Sequence, residues 1–214
     1  MTELVLHGYW RSGAAYRVRI ALNLKGIAHR HVTHDLRLGE QRAPAYRAIA
    51  PHGLIPVIEH EGRTIIESVA ILEWLEARWP ALPLLPADPG DAATVRGMAA
   101  LIACDIHPLH NLRVLDALRT DLAATPDQVN GWAGRWISGG FAALEALVAQ
   151  HGGTYAFGDR PGLADCYLVP QLYSAQRFGV DLTPFPRLVA AGQAAAAVPE
   201  IAAAHPSRQA DADG

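Results

Sequence analysis

The chain has 214 residues, half of them hydrophobic, which is enough to bury one large core or two small ones. A formal net charge of −3 offers no field for nucleic acid or an anionic surface, and no apolar run approaches the ~20 residues of a membrane span, so neither partner is expected. The two cysteines, Cys104 and Cys166, are too far apart for a zinc or disulfide framework, and the first residues lack a signal peptide's basic head and long apolar run, so the cytoplasm is the expected compartment.

Taken in order, Leu4–His7 reads as a buried strand ended by Gly8. A loop of residues 9–13 leads into a helix from Ala14 to Lys25, with Val18, Ala21, Leu22 and Lys25 on one face and Gly26 as its C′ residue. Ile27–Thr33 is a second strand, and a β-α-β unit of this length implies a parallel pair. Gln41–Ile49 predicts a short helix. Leu54–Glu59 and Arg63–Ile66, joined at 60–62, predict a hairpin, after which Ser68 is expected to cap a helix from Val69 to Arg78. The order β-α-β-α-β-β-α is that of the thioredoxin fold.

Pro80, Pro83, Pro86 and Pro89 then mark a linker, and the chain divides near residue 85. From Asp91 to about Leu122 the pattern is helical, broken or kinked at Pro108. Thr125-Pro126-Asp127-Gln128 has the residues of a capping box, opening a helix that runs to His151. Leu163–Phe178 is apolar enough to be central, and two short helices are expected within 186–204. The expected domains are an α/β thioredoxin-like one at 1–82, a linker at 83–90, an all-α one at 91–205 and a flexible tail at 206–214.

Several groups of residues carry chemistry. Ser12 lies in the loop between the first strand and helix, where redox members of the fold keep Cys-x-x-Cys. Here the loop reads Ser12-Gly13-Ala14-Ala15, so it has no thiol of its own for dithiol exchange. A hydroxyl and free N–H groups at a helix N-terminus favour an anion, such as a thiolate brought by a ligand; the plainer reading is a helix cap. Ile55-Pro56 is either a cis bond of the kind that lets backbone pair with an extended peptide ligand, or an ordinary edge-strand proline. Glu67 suits an ammonium and Ser68 a carboxylate, the two groups at the γ-glutamyl end of glutathione; Ser68 as a plain cap is the alternative. Arg11, Arg17, Arg113 and Arg177 are the candidate carboxylate forks. His29, His31 and His34, and the HxxH at His107 and His110, lack the carboxylate or cysteine that would complete a metal set, so no metal is expected.

The run from Tyr9 to Leu22, including Arg11-Ser12-Gly13-Ala14-Ala15-Tyr16-Arg17, resembles the signature loop of zeta-class glutathione transferases. So do Leu24-Lys25-Gly26, Ile55-Pro56, Glu67-Ser68, Leu84–Asp88, Asp105–Arg113, Ala164–Gln171, Arg177-Phe178, Val180–Pro184 and His205–Gln209, which together span the chain. The resemblance implies the glutathione transferase fold, with a thioredoxin-like N-terminal and an all-helical C-terminal domain. It also implies glutathione as cofactor, a homodimer, and cis–trans isomerisation of a maleyl dicarboxylate by reversible addition of the glutathione thiolate. By the same resemblance Ser12, Gly13, Ala14, Ala15, Arg17, Gln41, Ile55, Pro56, Glu67, Ser68, His107 and Asn111 meet glutathione, and Arg11, Arg113 and Arg177 join Ser12 in catalysis. The family's usual Ser-Ser-Cys-Ser keeps only its first hydroxyl here, Glu67 stands where Gln is commoner, and Gly162 replaces the usual hydroxyl cap of the central helix. A general transferase or dehalogenase, or a non-catalytic binding protein of the same fold, are the alternatives.

Overall fold

The computed structural model describes residues 3–213. They form two compact units, one running to Leu84 and resumed from Val198, the other spanning Leu85–Ala197.

In the first unit, β1 (Leu4–Gly8) leads through a loop to α1 (Gly13–Leu24), then β2 (His29–Thr33), a 3-10 turn at Glu40–Arg42 and α2 (Pro44–Ile49). The hairpin β3 (Val57–His60) and β4 (Arg63–Ile66) and the helix α3 (Ser68–Arg78) complete the predicted order. The sheet order is β2-β1-β3-β4; β1 runs parallel to β2 and antiparallel to β3. Alternation along β1 separates two faces. Gly8, on the face of Leu4 and Leu6, approaches Ala15 of α1, while His7, on the other face, meets Tyr46 of α2. The sheet is thus covered on both sides.

Local chemistry explains where the elements start and stop. Glu61 and Gly62, at φ 50° and 73°, make the two-residue turn that sets the β3–β4 register, His60 opposite Arg63. The helix expected at 41–49 is split because Ala43 precedes a proline and is driven to extended backbone (φ −62°, ψ 144°). Strands β2 and β3 each begin two or three residues later than predicted. Helix α1 ends at Gly26 (φ 63°), and Lys25 is buried, donating to the carbonyls of Trp79 and Leu82 at 2.9 and 3.0 Å and pairing with Glu76.

The second unit holds α4 (Pro89–Ala100), a π-turn at Leu101–Ile106, a 3-10 turn at His107–His110 and α5 (Leu112–Asp121). It continues with α6 (Pro126–His151), α7 (Leu163–Arg177) and α8 (Pro186–Ala196). Asp88 caps α4, accepting from the Asp91 N–H at 2.9 Å. The capping box at Thr125 and Gln128 is formed in both directions, at 3.3 and 2.8 Å. Helix α7 is buried on nearly every side. Its start lacks a side-chain cap because Gly162 has none, and Asp165 compensates by accepting from the N–H groups of Gly162 at 2.9 Å and Ala156 at 3.0 Å. Burial pushes the Asp165 carboxyl up to about 6 against the pull of those bonds.

Helix α9 (Pro199–Ala203) packs on α1, so the C-terminal segment groups with the first unit. Pro206 is buried in a 3-10 turn and Asp211 accepts from the Trp10 N–H at 3.0 Å.

Candidate active site

The loop after β1 is a turn closed by the Ser12 N–H on the Tyr9 carbonyl at 3.1 Å. Ser12 is extended (φ −69°, ψ 118°) and caps α1, its Oγ accepting from the Ala15 N–H at 3.2 Å. The cap is therefore present. It does not exclude the other role, because capping uses an oxygen lone pair and leaves the hydroxyl proton free to donate. Gly13 and Ala14 are half-buried in the first turn, whereas Ala15 is buried and its N–H is committed to Ser12. Arg11 is half-buried with its guanidinium 5.3 Å from the Trp10 ring centre.

A second group lies around β3 and α3. The Ile55–Pro56 bond is cis, and the Tyr46 hydroxyl donates to the Leu54 carbonyl at 2.7 Å just before it. Glu67, exposed at φ 67°, holds the position before α3 and lies 3.8 Å from His52 Nε2. Ser68 is not the cap that was expected but the first residue of α3. It is buried, with its Oγ accepting from Arg17 Nη1 at 3.3 Å. Arg17 itself is 2% exposed, with its Nη1 on Ser68. Gln41 is buried and its Oε1 has no hydrogen-bond partner among the described residues.

The remaining candidates belong to the helical unit. Asn111 caps α5, accepting from the Arg113 N–H at 3.2 Å, and Arg113 is exposed. His107 is half-buried, 5.3 Å between ring centres from His110. His110 is buried, takes a bond from Gln171 Nε2 at 3.0 Å and packs 5.5 Å from the Phe178 ring. The Trp132 indole donates to the Leu109 carbonyl at 2.7 Å. The turn bearing His107, Asn111 and Arg113 is thus pinned to α6 and to the end of α7, where Arg177 lies over Tyr173 and Phe178, 5.9 Å from each ring.

Sequence reasoning missed His52, Trp132 and Gln171, and it missed Arg19, a 2%-exposed guanidinium under the Ser12 loop. An arginine inside the run Val18–Leu22 was the one available sign of that burial. The β2 histidines are half-buried: burial lowers His29, and lowers His31 to about 4 against the opposing pull of Asp211. His34, just past the strand, is lowered by burial and by His7, to whose Nδ1 its Nε2 is bonded at 2.9 Å; His7 Nε2 in turn meets Glu59 at 2.8 Å. Among the described residues no group of three or more His, Cys, Asp or Glu could hold a metal ion, and no helix is long and apolar enough to cross a membrane.

Comparison with known proteins matches residues 11–78 to the glutathione S-transferase N-terminal domain and residues 112–191 to the glutathione S-transferase C-terminal domain. A maleylacetoacetate isomerase of Pseudomonas aeruginosa is 49% identical over 209 residues, covering 96% of this chain and 97% of that protein. A solved maleylpyruvate isomerase, described as a bacterial zeta-class glutathione S-transferase in holo form, is 44% identical at TM-score 0.96, covering 98% of this chain and 100% of its own. The maleylacetoacetate isomerase of Anaeromyxobacter dehalogenans, solved with glutathione in its active site, is 45% identical at TM-score 0.89, covering 99% of each chain.

Proposed function

The chain belongs to the glutathione S-transferase family, in its zeta class, and from that premise we propose that it is a glutathione-dependent cis–trans isomerase of a maleyl dicarboxylate, maleylacetoacetate or maleylpyruvate. The observation that carries this reading is the likeness to such isomerases along almost the whole chain.

The residues present fit glutathione. Ser12 offers a hydroxyl proton at the N-terminus of α1, where a thiolate is favoured. The buried Gln41 Oε1 has no donor among the described residues, and a ligand N–H would supply one. Glu67 suits the ammonium, and Ser68 with the first turn of α3 suits the carboxylate of the γ-glutamyl end. Ile55, beside Pro56, offers backbone for the peptide part. His107 and Asn111 are the helical unit's contribution, and Arg17, bonded to Ser68, and Ala15, bonded to Ser12, complete the glutathione-binding set.

When bound, glutathione supplies a thiolate that adds reversibly to the alkene, so that the former double bond can rotate. Ser12 holds that sulfur as an anion by donating from Oγ, with the N–H groups of Gly13 and Ala14 beside it. Arg11, Arg113 and Arg177 hold the substrate carboxylates and spread the negative charge that develops beside them.

Incubating the protein and each maleyl substrate with glutathione far below the substrate concentration tests this. Turnovers well beyond the glutathione supplied are expected. Stoichiometric consumption would instead make it a transferase, halide release from a haloacid offered in parallel without isomerisation would make it a dehalogenase, and binding without turnover would make it a non-catalytic binder. A homodimer and a cytoplasmic location go with this reading; sedimentation and fractionation are their tests.

A further inference from the structure

The Ser12 loop is held from below and behind by groups that no part of the reaction uses. Arg19 on α1 is among the most deeply buried side chains. Its Nη2 donates to the Trp10 carbonyl at 2.9 Å, its Nη1 to the Tyr9 carbonyl at 3.4 Å, and its Nε to the Ala204 carbonyl at 3.1 Å. The Tyr9 carbonyl is the same oxygen that accepts the Ser12 N–H. One guanidinium therefore spans the loop that aims Ser12 and the end of α9, nearly two hundred residues later.

The segment beyond α9 closes the other side. Asp211 Oδ2 accepts from the Trp10 N–H at 3.0 Å, its Oδ1 lies 4.0 Å from His31 Nδ1, and Asp213 pairs with Arg37. Arg37 also pairs with Asp35 at 2.6 Å and lies 5.9 Å from the Tyr9 ring, and His205 packs edge-on against Tyr16, 6.1 Å between ring centres. Both the N–H and the C=O of Trp10, two residues before Ser12, are thus bonded by groups from outside the loop.

We propose that Arg19 and Asp211 are positioning residues for Ser12: residues 204–213 form a strap that fixes the backbone of Tyr9–Ser12 and so the direction of the Ser12 hydroxyl. The proposal rests on the isomerase reading for its catalytic consequence, but not for the strap itself. Neither residue touches the reacting atoms; both act through backbone they bond. A loop freed at Trp10 still caps α1 through Ser12, yet samples orientations in which the hydroxyl misses the sulfur, and small misplacement of a reacting group is costly in rate.

Asp211→Ala removes the acceptor at the surface end of the strap, and Asp211→Asn keeps an oxygen there. Removing Arg19 would take a donor from each of three carbonyls and risks the fold, so Asp211 is the cleaner site. In Asp211→Ala, amide exchange at residues 10–12 is expected to rise about tenfold and kcat to fall about five- to tenfold, with KM for glutathione within about twofold. Asp211→Asn is expected within about twofold of the unaltered protein on both measures, because the accepted bond survives. Unchanged exchange and kcat in Asp211→Ala would overturn the proposal, as would equal damage from Asp211→Asn. If the unaltered protein isomerises nothing, the exchange measurement still judges the strap, and the failure belongs to the functional reading.

Discussion

Replacing Ser12 separates its two roles. Ser12→Ala deletes the acceptor for the Ala15 N–H, bonded at 3.2 Å, a loss of about 1 kcal/mol at a helix cap. In a chain of this length that is a fall in Tm of about 2–4 °C. It also deletes the donor to the sulfur. A hydrogen bond to a charged group contributes about 1.5–3 kcal/mol, so kcat is expected to fall about tenfold to a hundredfold while glutathione still binds through the Gln41, Glu67 and Ser68 region. The pH–rate profile is expected to move alkaline by about one to two pH units, since the lost bond stabilised the anion. Ser12→Gly sharpens the comparison, because glycine costs only a few tenths of a kcal/mol as a cap. It is expected to recover most of the lost stability and none of the lost rate. Ser12→Thr is expected to keep both. The assay is isomerisation at limiting glutathione across pH, beside thermal melts of each variant. If Ser12→Ala kept both its kcat and its pH profile, thiolate stabilisation would lie with the α1 N–H groups alone, and the role given to the hydroxyl would be wrong.

The first unit should be sensitive to acid. His31 sits near 4 in the folded chain against an ordinary 6.5, so the unfolded chain binds more protons between those values and stability falls as pH drops through that window. After discounting for the solvent that reaches the ring, the His31 share is about 2 kcal/mol, and His31→Gln should flatten the fall seen in urea melts at pH 7, 5.5 and 4.5; an identical slope would refute the assignment. Asp165→Ala leaves the N–H groups of Ala156 and Gly162 without their carboxylate and is expected to cost about 2–4 kcal/mol, while Gly162→Ser should return a few tenths by adding the missing cap; urea midpoints measure both. Gly140→Ala would place a methyl 2.2 Å from Ile106 Cδ1 and 2.3 Å from Cγ1, costing about 1–3 kcal/mol, and Ile106→Val should relieve part of it in a double-mutant cycle.

What was legible in the sequence, and what was not, divides by the range of the interaction. Thr125-Pro126-Asp127-Gln128 announced the start of α6 because a capping box is written within four residues. The β3–β4 hairpin was legible from Gly62 between two strand-like runs, although the other positive-φ residue of its turn, Glu61, gives no such sign. Ser12, Glu67 and Ser68 stood out as candidates because helix N-termini attract particular residue types. The error at Ser68 was also local, since Glu67 takes the capping place at φ 67° and the Ser68 hydroxyl turns to Arg17. The supports were hidden because their partners are backbone carbonyls, which every residue carries. Arg19 on Tyr9, Trp10 and Ala204, and Trp132 on Leu109, leave no pattern at the accepting end. Arg17 read as a candidate carboxylate fork and Arg19 was passed over because the burial of α1 by α3 and by the returning segment with α9 comes from far along the chain, and nothing local shows residues after 197 rejoining the first unit. The residues proposed to bear the chemistry are thus conspicuous by type, while those proposed to aim them show only once the chain is folded. A substitution scan guided by motif alone would reach Ser12 and Arg11 and pass over Arg19 and Asp211.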